Sequence, residues 1–119
     1  MQDEKGLALF TKILQKTRSG ELAWAATAAE GHFVAPLGEG LIVKIWPFTS
    51  IDERSGPEGP PSVGLVDENE NLLVDLNFKI DGISPDELEE ISSRAKRQAL
   101  KIDQKIDFAI AQLDKLTPH

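Results

Sequence analysis

The chain has 119 residues, 40% of them hydrophobic and 28% charged, with a net charge of −7. That is the size and balance of one globular domain with a single core, not of a disordered segment. The lack of cysteine excludes a disulfide scaffold, a thiolate zinc site and a thiol nucleophile. Residues 61–119 carry twelve acidic and seven basic side chains against eight and six in residues 1–60. Such a surface disfavours nucleic acid as a partner, because phosphate contact needs positive charge.

The start, Met1-Gln-Asp-Glu-Lys, has no basic region leading into an apolar run, as a signal peptide requires. No apolar stretch approaches the roughly 20 residues that span a bilayer. Both point to a cytoplasmic protein with no membrane contact.

Leu7, Phe10, Ile13, Leu14 and Thr17 recur every three or four residues and predict one face of an amphipathic helix. Ser19-Gly20 ends it, since glycine takes the left-handed conformation of a helix C-terminus. Leu22 and Trp24 then alternate as at the start of a strand, and Ala25 to Ala29 reads as extended or loop.

Two hairpins follow. Residues 32–37 alternate, Gly38-Glu39-Gly40 offers a tight turn, and Leu41 to Phe48 returns. Val63 to Val66 and Leu72 to Phe78 flank Asp67-Glu-Asn-Glu-Asn71. In the last strand Leu72, Val74, Leu76 and Phe78 share one face, opposite Leu73, Asp75, Asn77 and Lys79. Ile42 and Trp46 share a side with Lys44, so the outer face of the sheet is not wholly polar. Between the hairpins, Thr49 to Ser62 is rich in Pro and Gly in its second half and reads as a long loop. It is either a mobile tip or a partner-binding segment.

Ser84-Pro85-Asp86-Glu87 forms a capping box with Pro at the first helical position. From Leu88, Ile91, Ala95 and Ala99 through Ile102, Ile106, Ala109, Ile110, Leu113 and Leu116 one apolar stripe continues to the end. No Gly or Pro interrupts it before Pro118. Read as one helix over about 85–116, it is about 45 Å long, whereas a five- or six-residue strand covers only about 17–20 Å. The helix therefore overhangs its sheet, and its apolar stripe needs a partner. A two-fold pair of C-terminal halves running antiparallel meets that need; a kink folding the helix back on its own domain is the alternative. Arg94, Arg97, Lys101 and Lys105 border the stripe on one side, with Glu89, Asp103, Asp107 and Asp114 on the other, as in paired helices. Phe108 falls on the polar side, which favours a buried contact there.

The pattern Phe10-x-x-Ile13-Leu14-x-x-Thr17-x-x-Gly20-x-Leu22-x-Trp24, followed by Phe33-x-Ala35 and a hairpin, resembles a group of small uncharacterised prokaryotic and phage proteins. The likeness covers about the first half of the chain. It implies a helix leading into an antiparallel sheet and brings no catalytic residues with it.

Chemical motifs are sparse. Asp67-x-Asn69-x-Asn71 opens like a calcium loop, but Leu72 replaces the required glycine and Phe78 the final glutamate. Asp75 and Lys79 match a nuclease hairpin poorly. His32 and His119 are the only histidines, and a metal site needs three or four converging ligands. No cofactor, metal or catalytic residue is assigned.

The expectation is thus a single α+β domain over 1–119: an N-terminal helix, a four-stranded antiparallel meander and a long C-terminal helix. The favoured function is a non-enzymatic interaction or regulatory module, homodimeric through Ile102, Ile106, Ile110 and Leu113, with Trp46 as a secondary contact. Two alternatives stand beside it. One is a small-molecule-binding protein or enzyme with a pocket near Trp24 or Trp46. The other is an acidic, inhibitor-type partner of a basic protein, acting through the loop around Asp52, Glu53 and Glu58.

Overall fold

An N-terminal helix, α1 (Gln2–Ser19), lies with Phe10, Ile13, Leu14 and Thr17 buried, the face that the three- and four-residue spacing dictates. The computed structural model describes residues 2–52, 54 and 56–116. At the end of α1, the Gly20 amide donates to Thr17 O (3.2 Å) and the Glu21 amide to Lys16 O (3.0 Å), with Gly20 at φ 79°. That is a Schellman cap, and glycine carries no steric cost at its left-handed position. Leu22 and Trp24 are then drawn into the core.

The sheet has five antiparallel strands, one more than the sequence suggests. They are β1 (Ala25–Ala26), β2 (Phe33–Gly38), β3 (Leu41–Trp46), β6 (Ser62–Asp67) and β7 (Leu72–Leu76), in the order β1-β2-β3-β6-β7. The added strand is the two-residue β1, which pairs Ala25 with Val34 and Ala26 with Phe33. Two residues are too few to leave an alternation in the sequence. Glu39 and Gly40, at φ 56° and 72°, form the left-handed turn that matches the twist of a hairpin.

The segment read as one long loop also contains structure. β4 (Ser50–Asp52) pairs with β5 (Gly56–Glu58) as a separate two-stranded ribbon. Its base is pinned by side chains: Thr49 Oγ1 donates to Pro60 O (2.7 Å) and Ser62 Oγ to Phe48 O (3.1 Å).

A bulge between Leu65 and Val66 shifts the face pattern of β7. Val66 pairs with Leu72 but Leu65 pairs with Val74, so one extra residue stands in β7 and alternation fails across it. Leu76 is buried and Val74 half-buried, as expected; Leu72 is 53% exposed, and Phe78 lies beyond the strand at 40%.

The C-terminal region is two helices, not one. α2 (Pro85–Ala99) begins with the expected box: the Glu87 amide donates to Ser84 Oγ (3.1 Å) and the Ser84 amide to Glu87 Oε1 (3.4 Å). α3 (Ile102–Asp114) starts after Lys101, which sits in the left-handed conformation (φ 52°, ψ 45°). The Leu100 amide still donates to Lys96 O (3.0 Å), and its side chain packs partly buried against the core cluster, so the helical path holds through Leu100 and turns at Lys101.

The core lies on one side of the sheet. Phe33, Ala35, Val43, Ile45, Val63 and Leu76 from the strands meet Phe10, Ile13 and Leu14 of α1 and Leu88, Ile91 and Ala95 of α2. The radius of gyration is 16.9 Å and the extents are 67 × 38 × 28 Å, whereas a compact chain of this length has a radius of about 13.5 Å. The excess reflects α3, in which no residue is buried. Among the described residues, no helix is long and apolar enough to cross a membrane.

Candidate functional site

α3 is the first candidate surface. Ile102 is half-buried at its start, while Ile106, Ile110 and Leu113 are 46%, 53% and 65% exposed. These four residues fall along one side of the helix and form an apolar strip, which Leu116 follows just past its end. Phe108 is 66% exposed, so the buried contact expected for it is not made within the chain.

The charged borders do not run the length of the stripe. The break at Lys101 places Arg94 and Arg97 on α2, where each has an acidic neighbour. Arg94 Nε donates to Glu90 Oε2 (2.8 Å), and Arg97 pairs with Asp103 across the break. That second pair helps to hold the direction in which α3 leaves the body.

Glu90 also ties α1 to α2. Arg18 binds it through both Nε and Nη2, each at 2.7 Å. The fork of two N–H donors, with Arg94 adding a third, holds the Glu90 carboxyl at a pKa of about 2.

Trp46 belongs to a second candidate surface, the outer side of the sheet. Residues alternating with the core strands face this way: Val34, Ile42, Lys44, Trp46, Ser62, Gly64 and Val66, in register across β2, β3 and β6. Val66 is buried yet stands outside the main core cluster. Trp46 and Leu72 approach each other over Gly64; a Cβ there would come within 2.8 Å of both Trp46 Cζ3 and Val74 O. A side chain at position 64 would thus displace the indole from its place over the strand. Lys44 Nζ sits 5.2 Å from the centroid of that ring, a cation–π distance. α1 and α2 pack on the opposite side. Of this surface the sequence offers Ile42, Lys44 and Trp46 by alternation. Leu72 is missed because the bulge conceals it, and Gly64 because a strand glycine alone does not name its neighbour.

Trp24 plays a different part. It is buried, its Nε1 donates to Thr17 Oγ1 (3.2 Å), and its amide donates to Gln98 Oε1 (2.7 Å). It fastens the segment after α1 to α2.

The clefts are shallow. One of about 380 Å³ is lined by residues including His32, Glu89, Ser92 and Lys96. One of about 220 Å³ lies beside Trp46, Phe48, Leu72 and Asp75. His32 Nδ1 is buried without a hydrogen-bond partner; burial, aided by Lys44, holds its pKa below the ordinary value, and its ring meets Phe48 edge-on. Asn77 Oδ1 accepts from the Lys79 amide (2.9 Å), a local turn contact.

Asp67 closes its own turn. Oδ1 accepts from the amides of Asn69 and Asn71 and Oδ2 from Asn71 Nδ2, all at 2.9 Å. These bonds, those of Asn71 foremost, lower its pKa. Among the described residues, no group of three His, Asp or Glu is placed to hold a metal ion. In the acidic ribbon, Glu58 is exposed, Asp52 is described in its backbone alone, and Glu53, like His119, lies outside the described residues.

The fold and its two apolar surfaces define an α+β protein with a two-layer body and a projecting helix. No protein-family model matches the chain, and no curated protein or solved structure matches it either.

Proposed function

We propose that the chain is a non-enzymatic interaction or regulatory module that acts as a homodimer through α3. The observation that carries this reading is the contrast along one apolar stripe. Leu88, Ile91 and Ala95 are fully buried, whereas Ile106, Ile110 and Leu113 are half exposed or more. Isolated helices shorter than about 12–15 residues are marginal in water, and most helical stability in proteins comes from packing an apolar face. A 13-residue α3 is therefore best explained as a helix that packs in an assembly.

Sedimentation at tens of micromolar tests this. The wild-type chain is expected to run as a dimer and Leu113→Asp as a folded monomer. A wild-type monomer defeats the proposal.

A ligand-binding reading has one observation in its favour, the orphaned His32 Nδ1 at the wall of the 380 Å³ cleft. A small-molecule screen read by His32 imidazole chemical shifts tests it, and shifts that no ligand moves dismiss it.

A further inference from the structure

Two leucines that lie off the predicted apolar faces meet at one place. Leu9 of α1 stands beside the helix stripe, and Leu73 of β7 alternates with Asp75 among the polar positions of its strand. Both line a groove of about 530 Å³ between α1 and β7, with Lys5 and Gly6 from the helix and Ile80 from the turn after the strand. Leu9 and Ile80 are half-buried, and Leu73 is 50% exposed. We infer that this groove is a peptide-docking site. It takes an extended segment of another protein as a sixth strand along β7, with apolar side chains inserted between Leu9 and Leu73.

Three observations select this occupant. The first is the backbone. β7 ends the sheet, and among the described residues no other backbone pairs with its outer side. An edge strand presents a row of unpaired N–H and C=O groups, and an extended chain is what answers such a row. The second is the position of α1. The helix meets the sheet at β7, where a Cβ at Gly6 would stand 3.4 Å from Leu76 Cδ2. A helix is about 10–12 Å across and strands lie about 4.8 Å apart, so α1 roofs the place of the next strand. The same roof excludes a second copy. Two chains joined β7 to β7 would set their α1 helices about 5 Å apart, where packed helices need about 8–10 Å. A lone extended segment brings no helix with it. The third is charge. Lys5 and Asp75 are both exposed, one on each wall of the groove. A segment with a carboxylate beside Lys5 and an amine beside Asp75 is matched in charge as well as in shape.

The groove lies on the body and does not involve α3, so it is tested apart from the dimer. Short random peptides displayed on phage and selected on the immobilised full chain are expected to converge on Val, Ile or Leu alternating with polar residues. A synthetic peptide of the enriched sequence is expected to slow amide exchange within residues 72–76. Leu73→Asp, a change at a half-exposed position, is expected to weaken that peptide about tenfold or more. Leu113→Asp is expected to bind it as tightly as the wild type. No enrichment, enriched peptides with helical spacing, or exchange protection outside β7 overturns the inference. A Leu113→Asp chain that sediments as a dimer until Leu73→Asp is added overturns it too, by showing that β7 pairs with its own copy.

Discussion

α2 and α3 are consecutive helices cut from one apolar stripe, yet they are held by different means. α2 is capped at its start, bound through Glu90 to Arg18 of α1, and buries Leu88, Ile91 and Ala95 completely. α3 begins without a side-chain cap and buries nothing. The same period of hydrophobic residues thus specifies a helix in both cases without specifying what covers it. Periodicity is a local property of the chain, whereas cover depends on where the sheet ends.

The comparison breaks most readily in the core. Leu88→Ala is expected to cost about 2–5 kcal/mol by the loss of a fully buried side chain, measured by urea denaturation. Leu113→Ala is expected to leave the unfolding free energy of the dilute monomer within about 0.5 kcal/mol. Equal costs for the two would show that α3 packs within its own chain.

Gly64→Ala comes next. Its methyl group would press on Val74 O, a backbone atom that cannot rotate away, and is expected to destabilise by about 1–3 kcal/mol. Trp46 emission should change with it. Ser84→Ala removes the cap that α2 has and α3 lacks, for about 1 kcal/mol in the same denaturation experiment.

The smallest effect is that of Glu90. Its pKa is held at about 2 in the folded chain against an ordinary 4.5, so the Arg18 and Arg94 contacts contribute fully above about pH 4.5 and are lost as pH falls toward 2. Glu90→Gln is expected to flatten the pH dependence of stability in that window. Because both arginine side chains are about half exposed, added salt should shrink the difference.

Much of the fold was legible because it rests on short-range rules. The α1 face, the Gly20 cap, the first hairpin and the Ser84 box each follow from residues within a few positions of one another. Where the reading went astray, a tertiary contact intervened. The stripe ran past Ala99 without a breaker, yet the chain turns at a left-handed Lys101, where the core that α2 covers comes to an end. Leu72 appeared to face inward until the bulge at Leu65 and Val66 turned it outward. The Thr49–Ser62 segment has too little apolar content to announce a strand, yet its backbone pairs as a ribbon. The candidate association residues of α3 were legible as a strip, while the neighbours of Trp46 depend on strands distant in sequence.

By itself the sequence determined an α+β domain, its main helix faces, its caps and turns, and the apolar character of the C-terminal strip, all set by side-chain period and local backbone chemistry. The tertiary contacts settled that the strip divides at Lys101, that its second half projects uncovered, and that Trp46 packs over Gly64 on the outer side of the sheet. Those outcomes depend on which residues meet across the sheet and where the core runs out, and no local pattern encodes either.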